Sequence, residues 1–131
     1  MAIISINDLK RIREEQKGKK IVFCSGSFDL THAGHILFFE DSKKQGDILV
    51  VAVGKDSSIK DNKGDKRPIL NQHIRLKTID SLKPVDYCYI NPISIPEKKL
   101  YTIEHAFESL KPDIYTINED AFDIEDRKRL C

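Results

Sequence analysis

Residues 20–35 read KIVFCSGSFDLTHAGH, and this stretch decides the fold. Residues 20–25 form a short run rich in β-branched and aromatic side chains, suited to a buried strand. Residues 25–35 interrupt it with Gly26, Gly34 and polar side chains, the composition of a loop. Residues 33–44 then read as a helix, closed by Gly46. Strand, tight loop and helix in this order open a βαβ unit. Ile36, Leu37, Phe38 and Phe39 stand in a row at the helix start, which predicts burial of that end on most sides.

The alternation continues outward. Upstream, residues 6–16 place Ile6, Leu9 and Ile12 at helical spacing, with Asn7 as a cap and Gly18 as a stop. This predicts a leader helix within residues 1–19. Downstream, residues 47–53 (DILVVAV) are apolar throughout their middle, the mark of a strand covered on both faces. A polar loop over 54–70 leads to a helix over 71–82, stopped by Pro84. Further strands are predicted over 85–90 and 113–117, with a loop over 91–96 and a helix over 98–110 between them. A last helix is predicted over 123–130. Strands alternating with helices make a parallel sheet with helices on both faces, a doubly wound Rossmann-like α/β fold. Ligands of such sheets bind at the carboxyl ends of the strands, so the loops at 24–35, 54–70, 91–96 and 118–122 are the ones to read for function.

Composition narrows the classes. The chain has 131 residues, which fits one domain over 1–131. Lys and Arg number 22 against 21 Asp and Glu, a net charge of +1, so no bulk basic field recruits nucleic acid. No apolar run approaches the roughly 18 residues of a membrane span. The start of the chain turns polar too soon for a secretory signal. The three cysteines, Cys24, Cys88 and Cys131, cannot all pair within one chain, and without an export signal they read as reduced thiols of a cytoplasmic protein.

The loop after the first strand carries the chemistry. A helix N-terminus presents unpaired N–H groups and the positive end of the helix dipole, a natural phosphate site. Gly26 lets the backbone come close to a ligand. His32 and His35, three apart, fall on one face of the first helical turn, and Gly34 leaves room between them. Imidazoles there are placed to donate hydrogen bonds to phosphate oxygens as charge develops. Two alternatives stand beside this: a pair that only caps the helix, and a metal pair. The spacing suits zinc, but no Cys or acidic partner stands at a suitable distance in sequence, so no metal ligand is predicted. A dinucleotide-binding domain is disfavoured, since no Gly-x-Gly-x-x-Gly follows the first strand.

Gly26, Phe28, Asp29, His32, Gly34 and His35 match every fixed position of Gly-x-Phe-Asp-x-x-His-x-Gly-His. This resembles the signature of the HxGH nucleotidylyltransferases of the cytidylyltransferase-like superfamily. The likeness continues in GDILVVAVGKDSS at 46–58, in Lys63-Gly64 with Arg67-Pro68-Ile69, in Arg75, in Val85-Asp86 and in Leu110-Lys111-Pro112-Asp113. It covers nearly the whole chain and is strongest toward the glycerol-3-phosphate cytidylyltransferases and the adenylyltransferase domain of ADP-heptose synthase. The resemblance implies transfer of CMP or AMP from CTP or ATP to a small phosphorylated acceptor, a sugar or polyol phosphate, with release of pyrophosphate. It implies Mg²⁺ carried by the triphosphate and a homodimer.

By the same resemblance, His32, His35 and Lys63 are catalytic, and Gly26, Ser27, Phe28, Gly34 and Asp120 join them in holding the nucleotide. Lys63 reaches the α-phosphate, or is a solvated charge in its run KDNKGDKR. Asp29 orients the loop, helps the acceptor site, or forms a plain Asx turn. Arg75 touches phosphate or acceptor, or is an exposed surface arginine. Cys24 reads as a strand-end residue, Asp86 as structural, and Lys43, Lys44, His73 and His105 as surface residues. Two departures from the pattern matter. Asn118-Glu119-Asp120 stands where the family has a glycine-containing turn. The family's later Ile-Ser-[Ser/Thr]-Thr-x-x-Arg-like motif is absent from the sequence, which ends DRKRLC. The alternative reading is therefore a truncated or degenerate nucleotide-binding module without turnover.

Overall fold

The computed structural model describes residues 2–29, 31–56, 70–91 and 101–117. Strand β1 (Ala2–Ile3) leads through a 3-10 turn (Ile6–Asp8) into α1 (Leu9–Glu15). Then come β2 (Ile21–Gly26), α2 (Ala33–Lys44) and β3 (Ile48–Val53). The last are α3 (Gln72–Asp80), β4 (Tyr87–Ile90), α4 (Tyr101–Leu110) and β5 (Ile114–Tyr115). The five strands pair in parallel in the order β1-β4-β3-β2-β5. This is the doubly wound α/β fold the alternation predicts.

The period of two along the strands separates two apolar cores. Ile21 and Phe23 of β2, Ile48, Val50 and Ala52 of β3 and Tyr89 of β4 face Leu9 and Ile12 of α1 and Ile103, Ala106 and Leu110 of α4. Val22 and Cys24, Leu49, Val51 and Val53, and Cys88 face Phe28, Phe39, Leu76, Ile79 and Val85 on the other side. All six residues of β3 are buried, as expected for a strand covered on both faces.

From β2 the chain steps outward through β3 to β4, and the crossover through α4 then sets β5 on the opposite flank of β2. The order reverses between β2 and β5, which places the crevice of the fold at the carboxyl end of β2.

The opposite, amino end of the sheet is closed by carboxylates. Asp47 accepts the N–H of Lys20, Asp86 that of Leu49 and Asp113 that of Ile21, each at 2.8 Å. Lys43 pairs with Asp86, and Arg13 lies 3.4 Å from Asp113. The Ile21 N–H, followed by Arg13, holds the Asp113 carboxyl below the usual aspartate range. Asp86 is thus structural, as predicted, while Lys43 is an ion-pair partner rather than a plain surface residue.

Four further expectations are corrected. The leader is more than a helix: Ala2 and Ile3 extend the sheet beside Tyr87 and Cys88, with Ala2 N–H donating to Asp86 O and Ile4 N–H to Cys88 O at 2.9 Å. Two residues are too few for a readable alternation. The cap is Ser5, whose N–H donates to Asp8 Oδ2 at 2.9 Å, not Asn7. Of the four apolar residues at the start of α2 only Phe39 is fully buried, and Leu37 is 61% exposed, because one helix face meets the sheet and Leu37 lies off it. Gly46 sits where a Cβ would come within 2.9 Å of Lys20 O, so close packing rather than a left-handed turn explains it. The helix predicted over 123–130 and most of the loops at 54–70 and 91–96 lie outside the described residues.

Candidate functional site

The site is built where β2 runs out. Gly26 O accepts the N–H of Gly54 at 2.9 Å, and the chain then turns sharply. Phe28 adopts φ +50°, a left-handed conformation that costs a non-glycine residue about 1–2 kcal/mol. Its buried ring offsets that cost by packing on Phe39 at 4.9 Å and edge-on to His35 at 5.8 Å between centroids. The same ring covers Gly26, where a Cβ would sit 2.9 Å from Phe28 Cζ. The space that Gly26 provides is therefore filled by Phe28. Thr31 Oγ1 donates to Phe28 O at 3.1 Å and holds the turn.

His32 caps α2. Its Nδ1 accepts the N–H of Gly34 at 3.0 Å, and His35 Nδ1 accepts the N–H of His32 at 3.1 Å. A neutral imidazole has one acceptor and one donor nitrogen. With both Nδ1 atoms accepting, the hydrogens belong on Nε2, and each ring presents an Nε2–H donor. The rings lie 4.1 Å apart between centroids. A Cβ on Gly34 would meet His32 Cε1 at 2.7 Å, so the room at Gly34 serves the capping ring itself. Capping and donation are thus compatible roles of one pair. Metal ligation is not favoured by this arrangement, since a ligating imidazole needs a ring lone pair that these tautomers commit to the backbone.

Two further predicted residues tie the turn to its surroundings. Asp29 Oδ1 accepts the N–H of Leu70 at 2.9 Å, a loop-to-loop bond. Arg75, the largest fully buried side chain, is 0% exposed. Its guanidinium donates to Ser27 O at 2.6 Å, Leu70 O at 3.0 Å and Asp56 Oδ1 at 2.7 Å. Arg75 is therefore not the exposed surface arginine that its helical position suggested. Asp56 also donates its N–H to Gln72 Oε1 at 3.0 Å.

Gly26, Ser27, Phe28, Asp29, His32, Gly34, His35 and Arg75 thus converge at the carboxyl end of β2. Lys63 and Asp120 lie outside the described residues. Sequence reasoning missed Asp56, one acid among several in a polar stretch. It also missed the tie from Ser25 Oγ to Tyr115 OH, 3.3 Å apart, which joins β2 to β5 at the crevice. Cys24 is buried, and burial pushes its thiol pKa far up, which removes it as a nucleophile at neutral pH.

A family model described as cytidylyltransferase-like matches residues 23–128. The chain belongs to the cytidylyltransferase-like family. It carries that family's nucleotidyltransferase domain. Among curated proteins it is 36% identical over 128 residues to the bifunctional protein HldE of Helicobacter pylori strain P12, covering 94% of this chain and 26% of that protein. It is 38% identical over 118 residues to HldE of Campylobacter fetus subsp. fetus strain 82-40, covering 90% and 24%. The chain therefore spans about a quarter of the length of these relatives. Among solved structures it is similar to the lipopolysaccharide core biosynthesis protein of Thermoplasma volcanium GSS1, at TM-score 0.68 and 37% identity, covering 85% of this chain and 84% of that one. Pantoate-beta-alanine ligase of Francisella tularensis shares the fold at TM-score 0.70 and 20% identity, covering 99% of this chain and 61% of that one.

Proposed function

We propose that this family member transfers CMP or AMP from CTP or ATP to a small phosphorylated acceptor, releasing pyrophosphate. The acceptor phosphate oxygen forms a bond to the α-phosphorus, and the bond from that phosphorus to the bridging oxygen of pyrophosphate breaks. The observation that carries the reading is that the Nδ1 atoms of His32 and His35 both accept backbone N–H groups at the N-terminus of α2, which assigns the donor of each neutral ring to Nε2. Such transfers need positioning and charge stabilisation more than a nucleophile, and two adjacent donors supply both. In this reading Ser27 and Phe28 line the nucleotide with their backbone. Lys63 approaches the α-phosphate, Asp120 assists the nucleotide, and Mg²⁺ arrives bound to the triphosphate. The Thermoplasma relative is a lipopolysaccharide core biosynthesis protein, which favours a sugar phosphate as acceptor. A homodimer in the cytoplasm belongs to the same reading.

The test is pyrophosphate release by the purified chain with Mg²⁺, CTP or ATP, and a panel of sugar and polyol phosphates. Release above a His35→Ala control supports the reading. Nucleotide binding without release on any acceptor supports instead a binding module without turnover.

A further inference from the structure

We propose that Arg75 is a positioning residue of this site, acting on the histidine loop through Ser27 and drawing its charge balance from Asp56. The inference rests on the function proposed above and adds the residues that hold its donors in place.

The network is closed and spans three chain segments. Arg75 rises from α3, and its guanidinium takes Ser27 O on the β2–α2 turn, Leu70 O ahead of α3 and Asp56 Oδ1 beyond β3. Leu70 returns its N–H to Asp29, two residues beyond Ser27, so the turn is gripped at both Ser27 and Asp29. Gln72 Oε1 accepts the Asp56 N–H and ties the backbone of Asp56 to α3. The grip falls beside the one strained residue of the turn. Ser27 precedes Phe28, whose φ of +50° aims its ring at His35, 5.8 Å away and edge-on. A residue in that conformation persists only when its surroundings over-determine it. The Arg75 fork fixes the carbonyl on one side of Phe28, and Thr31 Oγ1 binds the carbonyl of Phe28 itself. The path from Arg75 to His35 is thus one hydrogen bond, one peptide unit and one ring contact. A lysine cannot reproduce it, since one ammonium cannot bridge three acceptors in the plane of a fork.

Asp56→Asn and Arg75→Lys separate positioning from plain support. The expected result for each is a kcat lowered about tenfold to a hundredfold with KM for nucleotide and acceptor within about twofold, the pattern of a misplaced reacting group. The nitrogen spectrum of the His35 imidazole should shift in the same variants without any substrate present. A merely structural role lowers the melting temperature but, below melting, leaves kcat and the imidazole spectrum unchanged, and that result overturns the proposal. A raised KM with kcat preserved overturns it as well, because it assigns Arg75 to direct ligand contact. Should Arg75→Lys fail to fold, Asp56→Asn decides alone, since it keeps the side-chain shape. If the unaltered chain turns over no acceptor, the proposed function fails, and the imidazole spectrum of Asp56→Asn still decides the positioning claim.

Discussion

At the amino end of the sheet, Asp47, Asp86 and Asp113 each take an N–H at the start of a neighbouring strand, with Lys43 and Arg13 outside the latter two. At the carboxyl end, the backbone N–H groups of His32 and Gly34 are taken instead by imidazole nitrogens, and a phenylalanine is held in a left-handed conformation. Both ends satisfy their backbone donors. Only the second does so with groups whose other ring nitrogen is itself a donor, while a left-handed non-glycine residue stands at each end, Lys111 at φ +48° ahead of β5 as well as Phe28. A carboxylate spends its charge on the cap. An imidazole caps with one nitrogen and offers the other. The comparison explains why a family member can place histidines where an ordinary helix start would carry Ser, Thr or Asp.

The comparison is broken most severely at His35. His35→Ala removes one donor and one backbone acceptor. Pyrophosphate release should fall about 10²–10³-fold, the usual cost of losing one preorganised donor. Thermal melting should register the lost cap as only about 1 kcal/mol. Asp86→Ala is the mirror experiment at the other end. It removes the ion-pair partner of Lys43, which keeps Asp47 O, and leaves the Leu49 N–H without its acceptor, so denaturant unfolding should show a loss of about 1–3 kcal/mol while kcat stays unchanged. Gly34→Ala sharpens the link between cap and donor. Its Cβ would displace the His32 ring that lies 2.7 Å away. Steady-state rates should drop about tenfold although alanine is worth up to ~1 kcal/mol over glycine in a helix.

The smallest effect concerns Asp113. Its folded carboxyl titrates below the usual range because of the Ile21 N–H and then Arg13. The stability it contributes is therefore present above about pH 4 and lost as pH falls through the folded value. Melting curves of Asp113→Asn and the unaltered chain should differ by ~0.5 kcal/mol at neutral pH, after solvent screening, and converge in strong acid.

The fold was legible because the short, continuously apolar runs at 21–24 and 48–53, separated by glycines, polar loops and helical segments, permit little but strands covered on both faces. Even the amino-end carboxylates are visible in hindsight as the Asp that opens GDILV, VDYCY and PDIYT. The histidine pair was legible through spacing and through the match to the HxGH pattern. Its tautomers were not, since they depend on which backbone N–H each ring meets. Arg75 was legible as a residue of interest, and its burial overturns only the exposed-surface alternative. A helix of mixed polarity gives no sign that one arginine turns inward, and its partners come from positions 27, 56 and 70, far apart in the chain. At Gly26 and Gly34, read from the sequence as room for a ligand, the space a Cβ would take is filled by Phe28 and His32.

The central claim is that backbone N–H groups hold both Nδ1 atoms, so that His32 and His35 face the ligand as Nε2–H donors. Long-range ¹H–¹⁵N spectra of the imidazoles at neutral pH, without and with Mg²⁺ and nucleotide, test it directly. The account predicts the Nε2–H tautomer for both rings in the free protein, with the Nε2 signals moving when CTP or ATP binds. Nδ1–H tautomers in the free protein, or Nε2 signals that stay fixed as nucleotide saturates, contradict it.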